Sequence, residues 1–346
     1  MREVTVGVVG YGLSGAVFHA PLITSVDGYR LKTIVSSNPA KVTADYPEVQ
    51  VAPTVEDLLA DPEIELVVIG APNSAHFPVA RQSLLAGKHV VVDKPFTNTT
   101  QEAEELIQLA EQNDRLLSVF QNRRWDNDFL TVKACLKSGL LGELYSYESH
   151  YDRFRLEVRN RWREIDLPGS GMLFDLGAHL IDQALHLFGT PESIYADLHK
   201  QRPGSKVIDY FHLLLDYGRL RVILHSGMVI KSPGPRYQLH GTKGSFIKYG
   251  LDSQEDALKA GMRPGDAGWG ADKPEFYGEL TTEVEGATLT GKMETLPGSY
   301  ESYYIEVLKA IREGAPLPVR AEEGLNTIKV IEKALQSSQE KREVAF

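Results

Sequence analysis

The segment that most restricts how this chain folds is Gly10-Tyr11-Gly12-Leu13-Ser14-Gly15, set directly behind the apolar run Val4–Val9 and ahead of a helical pattern. A strand that ends in glycines at this spacing makes a tight turn into a helix, with backbone N–H groups free to approach a ligand. Such a turn cradles a pyrophosphate, because the amides and the partial positive charge of the helix N-terminus both favour an anion. A turn without a ligand is the alternative for the motif alone. Its place at the head of repeated strand–helix units argues for the nucleotide.

Those units are readable in the hydrophobic pattern. Short β-branched runs recur at Val4–Val9, Leu31–Val35, Leu66–Ile69 and His89–Val92, with helical stretches at Phe18–Ser25, Val55–Asp61 and Phe77–Ala86 between them. Strands spaced by helices imply a parallel sheet. A further helix is expected over Thr100–Glu111 and a last strand over Leu116–Gln121. The character then changes. A helix at Asp126–Ser138 leads to strand patterns at Leu144–Tyr151, Ser193–His199, Tyr210–Asp216, Arg219–Ser226, Arg236–His240 and Ser245–Tyr249. Tyr217-Gly218 reads as a hairpin turn. A helix over Gly171–Leu187 covers this sheet, Asp252–Tyr277 reads as a long loop, and helices near Tyr303–Glu313 and Ala321–Glu340 close the chain. The fold class is therefore α/β: a Rossmann parallel-sheet domain over 1–122, then an α+β domain with an open, mainly antiparallel sheet over 123–346. The C-terminal helix has the length to return to the first domain.

Composition excludes several classes. A formal net charge of −10 argues against nucleic acid and against an anionic membrane surface as partners. The one cysteine, Cys135, permits neither an intrachain disulfide nor a thiolate metal cluster. Val4–Val9 is too short for a signal peptide, and no apolar stretch is long enough to span a bilayer. The expected location is the cytoplasm.

Candidate chemistry gathers at strand ends. After the second strand stand Ser36, Ser37, Asn38 and Lys41, where an acidic residue would read the ribose of NAD. Hydroxyls, an amide and a lysine suit a 2′-phosphate better, which favours NADP and leaves NAD possible; the arginine expected beside that phosphate is missing. Asp93-Lys94-Pro95 follows the strand at His89–Val92, on the edge where open α/β sheets hold ligands. A lysine there can orient a hydroxyl or take its proton, or it is an ordinary loop lysine. Pro72, Asn73 and His76 follow another strand to the same edge, and Asn122 ends the first domain.

In the second domain Asp175 and His179 are i,i+4 neighbours on a helix, with Asp182 and His186 extending the stripe. A carboxylate beside an imidazole raises its basicity, as a general base requires. A metal pair and a buried, self-satisfied polar pair are the alternatives. Arg123 and Trp125 at the domain crossing, with Arg161 and Trp162 later, could hold a hydroxyl-rich molecule by hydrogen bonds and ring stacking; surface ion pairing is the other reading of the arginines.

Taken together, Gly10–Gly15, Pro72-Asn73…His76, Asp93-Lys94-Pro95 and Asp175…His179 resemble the Gfo/Idh/MocA oxidoreductase family over essentially the whole chain. Long segments such as Asn122–Thr131, Gly234–Gly241, Trp269–Asp272 and Pro274–Gly278 are most similar to its NADP-dependent scyllo-inositol dehydrogenase subgroup and uncharacterised enterobacterial relatives. The resemblance implies hydride transfer between nicotinamide and a hydroxyl-bearing carbon of a polyol or sugar. It assigns catalysis to Lys94, Asp175 and His179 with no metal. Gly10, Gly12, Leu13, Ser14 and Gly15 would hold the cofactor, together with Ser36 to Asn38, Lys41, Pro72, Asn73, His76, Asp93, Lys94 and Asn122. It also implies a cis bond before Pro95 and a homodimer or homotetramer joined through the open sheet. The family's motif usually begins with Glu where this chain has Asp93. Rival readings are a cofactor-recycling glycoside hydrolase or lyase on the same fold, and a non-catalytic NADP-binding sensor.

Overall fold

The structure, a computed structural model, describes residues 2–346 and divides into two compact units. The first runs to Asn122 and takes in Gln254–Trp269 and Ser299–Leu325; the second holds Arg123–Ser253, Gly270–Gly298 and Asn326–Phe346.

Six parallel strands form the sheet of the first unit: β1 (Val4–Val9), β2 (Tyr29–Val35), β3 (Gln50–Ala52), β4 (Leu66–Ile69), β5 (His89–Asp93) and β6 (Leu117–Phe120). Their order, β3-β2-β1-β4-β5-β6, is that of a doubly wound nucleotide-binding sheet. Every residue of β1, β4 and β6 is buried, which is why these segments read as unbroken apolar runs rather than alternating ones. Each fully buried Val or Ile contributes about 2 kcal/mol of transfer free energy. The order reverses between β1 and β4, so a crevice opens beyond their carboxyl ends, where Gly10 and Gly70 follow the two strands.

Local structure departs from the expectations in definable places. The first helix begins at Ser14 rather than Phe18, as π-helical winding over Ser14–His19 that continues into Ala20–Thr24. Residues after β2 form a short helix, Pro39–Asp45, capped by the Asn38 side chain and entered through Pro39. The expected loop after Asp252 contains a helix, Gln254–Lys259, and its first part belongs to the first unit.

The second unit is built on nine strands. They are β7 (Leu144–His150), β8 (Ser193–His199), β9 (Tyr210–Tyr217), β10 (Leu220–Gly227), β11 (Tyr237–Gly241), β12 (Gly244–Lys248), β13 (Gly278–Val284), β14 (Ala287–Met293) and β15 (Val344–Ala345). The order is β14-β13-β12-β11-β7-β10-β9-β8-β15, antiparallel throughout except for β7 beside β10. The β9–β10 hairpin turns on Gly218-Arg219, one residue beyond the expected pair, because Tyr217 pairs with Leu220. In β9, Phe211, Leu213 and Leu215 are buried while Tyr210, His212 and Leu214 stand on the open face. The helical segment Leu173–Gly177, again π-wound, and the helix Ala178–Phe188 lie on the buried side, where Gly177 meets the Phe211 ring. Among the described residues no helix is long and apolar enough to cross a membrane.

Asp182 does not extend a reactive stripe. Its carboxylate receives two bonds from the Arg124 guanidinium, at 2.8 and 2.7 Å, with both side chains almost fully buried. A bidentate pair of this kind repays its desolvation through geometry, and removing one partner strands the other charge in the core. Asp182→Ala should therefore cost about 3 kcal/mol or more, whereas Arg124→Met with Asp182→Leu should recover most of that loss. Denaturant unfolding followed by circular dichroism measures both.

Candidate active site

In the first unit the glycine turn is dictated by contact. Gly10 has φ +96°, and a Cβ there would stand 2.8 Å from the Gly70 carbonyl oxygen. A Cβ on Gly15 would reach 2.0 Å from the Gly10 oxygen, so strand and helix can approach only without side chains. Gly12 is different: nothing lies within 4 Å of where its Cβ would be. That open flank is the space a dinucleotide pyrophosphate needs, and the residues present fit one.

The end of β5 is tied to this turn. Ser14 Oγ donates to an Asp93 carboxylate oxygen, while the other oxygen accepts the Lys94 backbone N–H at 2.7 Å. His19, fully buried, places Nε2 3.7 Å from the same carboxylate and holds its Nδ1 2.6 Å from the Tyr304 hydroxyl. Burial alone would raise the Asp93 pKa. Electrostatic interactions with His19, Lys94 and His76 outweigh it and hold the carboxyl well below the ordinary range. Lys94 is thus anchored at its backbone, on a cis peptide to Pro95. His76 turns both ring nitrogens onto backbone carbonyls, Nδ1 to Pro95 at 2.7 Å and Nε2 to Ala71 at 3.0 Å. It joins the loops after β4 and β5, and burial keeps its pKa down. Asn73 opens the helix Asn73–Leu85, and its carbonyl faces Asn98 Nδ2 at 3.5 Å.

Beyond β2, Ser36 Oγ accepts from Asn38 N at 3.0 Å and Asn38 Oδ1 from Lys41 N at 3.2 Å; Ser37, Asn38 and Lys41 are exposed. The Lys41 ammonium lies 5.3 Å from the centre of the Tyr11 ring, beside the glycine turn. Arg263, in the Gln254–Trp269 segment of the same unit, acts electrostatically on both Tyr46 and Tyr11.

In the second unit Asp175 sits on the π-wound turn and His179 in the first turn of the helix that follows, the imidazole buried. Arg163 Nε lies 3.5 Å from the Asp175 carboxylate, an interaction spacing did not suggest. Arg153, Arg161, Arg163 and Asp175 line one cavity. Within it Arg161 is held by Glu164 at 2.7 Å, and the Arg163 guanidinium stacks 4.4 Å from the centre of the Trp162 ring. Arg123 is buried, 3.3 Å from Asp126 and 5.0 Å from the centre of the Tyr151 ring, where Arg153 and Arg236 also stack. Trp125 is half-buried.

Comparison with known proteins matches both units. Residues 4–121 match "Oxidoreductase family, NAD-binding Rossmann fold" and residues 133–346 match "Oxidoreductase family, C-terminal alpha/beta domain", the two parts of Gfo/Idh/MocA proteins. The chain is 49% identical over 344 residues to scyllo-inositol 2-dehydrogenase (NADP(+)) IolW of Bacillus subtilis, covering 99% of this chain and 95% of that protein. It is 47% identical to the uncharacterized oxidoreductase YdgJ of Escherichia coli over 97% of this chain and 96% of that one. The solved structure of yvaA from Bacillus subtilis superposes with a TM-score of 0.98 at 48% identity, covering 100% of this chain and 99% of that one.

The contrast between Gly12 and Gly15 gives a test that separates binding from folding. Gly15→Ala should lower the melting temperature by several degrees, because the Gly10 carbonyl must move. Gly12→Ala should leave the melting temperature within about 1 °C yet weaken dinucleotide binding roughly tenfold or more. Thermal melts and fluorescence titration with NADP report the two quantities.

Proposed function

Because the chain belongs to the Gfo/Idh/MocA oxidoreductase family, we propose that it transfers a hydride between NADP and a hydroxyl-bearing carbon of a polyol, with an inositol of the scyllo type as substrate. The observation that carries this reading lies inside the first unit. The ionised Asp93 carboxylate bonds both to Ser14 of the glycine turn and to the Lys94 backbone, so the lysine stands on the edge that would hold the cofactor. The likeness to IolW, whose name specifies NADP and scyllo-inositol, supports the choice of substrate and cofactor.

When bound, the nicotinamide supplies the hydride acceptor. The protein's own groups handle the proton and the charge. His179, with Asp175 in the π-wound turn that precedes its helix, accepts the hydroxyl proton. Lys94 donates a hydrogen bond to the same oxygen and stabilises its developing negative charge. Arg163 Nε, 3.5 Å from the Asp175 carboxylate, would orient that carboxylate. Arg161 and Trp162, with Arg123 and Trp125, would contact the polyol. Support for NADP over NAD is the absence of an acid after β2, the cluster Ser36, Ser37, Asn38 and Lys41, and the guanidinium of Arg263 in the same unit. The same reading has the chain assemble as a homodimer or homotetramer through the open sheet face, where Tyr195 is 42% exposed and Leu214 and Ile223 are half-buried.

Incubation with scyllo-inositol and NADP should raise the absorbance of reduced nicotinamide, faster than with NAD at equal concentration. Lys94→Ala should cut kcat about a hundredfold or more while the dissociation constant for NADP stays within about twofold. A Lys94→Ala protein that turns over normally would remove the assignment.

A further inference from the structure

One row of side chains on the open face of the second unit takes no part in the chemistry above. Strand register sets it. His225 of β10 pairs with His150 of β7 on one side and with His212 of β9 on the other, and His212 pairs with Asp197 of β8. Three imidazoles from three adjacent strands therefore stand side by side, with ring centres 5.0 Å apart for His150 and His225 and 5.8 Å for His212 and His225. Cross-strand neighbours lie close enough for their side chains to share a ligand. The helix carrying Asp175 and His179 covers the opposite face, against Phe211.

Asp152 completes the group at the end of β7. Its Oδ1 lies 2.9 Å from His225 Nδ1 and its Oδ2 3.7 Å from His150 Nδ1, while Oδ1 also accepts the Gly227 N–H at 3.1 Å. Glu148 Oε2 is 3.5 Å from His150 Nε2. One donor atom from each of His150, Asp152 and His225 falls within 4.8 Å of the others, and among the described residues no other trio of His, Cys, Asp or Glu does so. In the single chain the three side chains are 23%, 5% and 12% exposed, and they stand on the same open face through which the proposed assembly would form.

We propose that His150, Asp152 and His225 form a binding site for one divalent first-row transition ion, of the kind that Zn²⁺ represents. Two imidazoles and one carboxylate suit zinc, cobalt, nickel or copper, whereas calcium and magnesium require more oxygen donors than stand here. Donor atoms about 2.0–2.2 Å from a tetrahedral ion lie about 3.4 Å from one another, so the present spacings close on an ion with side-chain adjustments alone. Water, or the His212 imidazole next in the row, fills the remaining position. The backbone bond from Gly227 to Asp152 orients the carboxylate as an outer ligand shell does. An ion held there ties β7 to β10, the one parallel pair in the sheet, and so stabilises the second unit by linkage.

The test uses the full chain, stripped of metal with a chelator and dialysed against Zn²⁺ alone, with bound metal measured by elemental analysis. The expected result is one ion per chain and a zinc-dependent rise in melting temperature. Both should be lost in His150→Ala/His225→Ala, affinity should fall at least about tenfold in Asp152→Asn, and both should be retained in His199→Gln, a histidine on the same face outside the trio. If the double variant does not fold, Co²⁺ added to the unaltered protein should give the intense visible bands of a tetrahedral site bearing imidazole, and Asp152→Asn should change them. Zinc uptake below one ion per chain, uptake undiminished in the variants, or cobalt spectra of the hydrated ion would overturn the proposal.

Discussion

The first unit turns on a single half-buried carboxylate. Asp93 ends β5, yet its two oxygens reach Ser14 in the turn after β1, His19 in the helix beyond it, and the backbone of Lys94. A charge this little exposed is tolerated because each oxygen has a hydrogen-bond donor. The consequence is mechanical as well as electrostatic: the loop carrying Lys94 cannot shift without breaking bonds to the glycine turn. His76 adds a second tie by spanning the loops after β4 and β5.

The second unit uses arginines in the same way. Arg124 with Asp182, Arg236 with Asp128 and Arg202 with Asp209 are all nearly inaccessible pairs. Tyr151 is faced by three guanidinium groups, a stack that fixes the backbone just past β7. Such pairs add little net stability compared with apolar substitutes, but losing one partner strands the other charge in the core. Asp175 and His179 are mounted on a segment so constrained, where π-winding over Leu173–Gly177 changes the angular relation of neighbours that α-helical spacing would place on one face.

Much of this was legible because burial on both faces leaves a simple signature. The runs at β1 and β4 matched the structure residue for residue, as did β8 and the last helix, Ala321–Glu340. What escaped did so for physical reasons. β13 and β14 are largely solvated strands rich in Thr, Glu and Lys, so they carry no apolar period. β3 and β15 are too short to show one. The Gln254–Trp269 segment, dense in Gly and charge, looks like loop, yet it supplies Arg263 to the first unit. His19 and Tyr304 enter the Asp93 network from positions 285 residues apart in sequence. The row of histidines exists only through strand register, which no local pattern encodes.

The way the chain is shared between the units bears on its synthesis. Tyr303 and Tyr304, whose rings surround Phe120 and His19, and Val319, whose carbonyl accepts from Ser118, all emerge late. A ribosome that has released residue 122 has made every strand of the parallel sheet but none of these partners. The nascent nucleotide-binding half must therefore wait, with the Phe120 side of its sheet uncovered, until Ser299–Leu325 has been made. Both halves reach completion almost together, and a gene truncated after the first sheet would encode an unfinished core rather than a smaller working module.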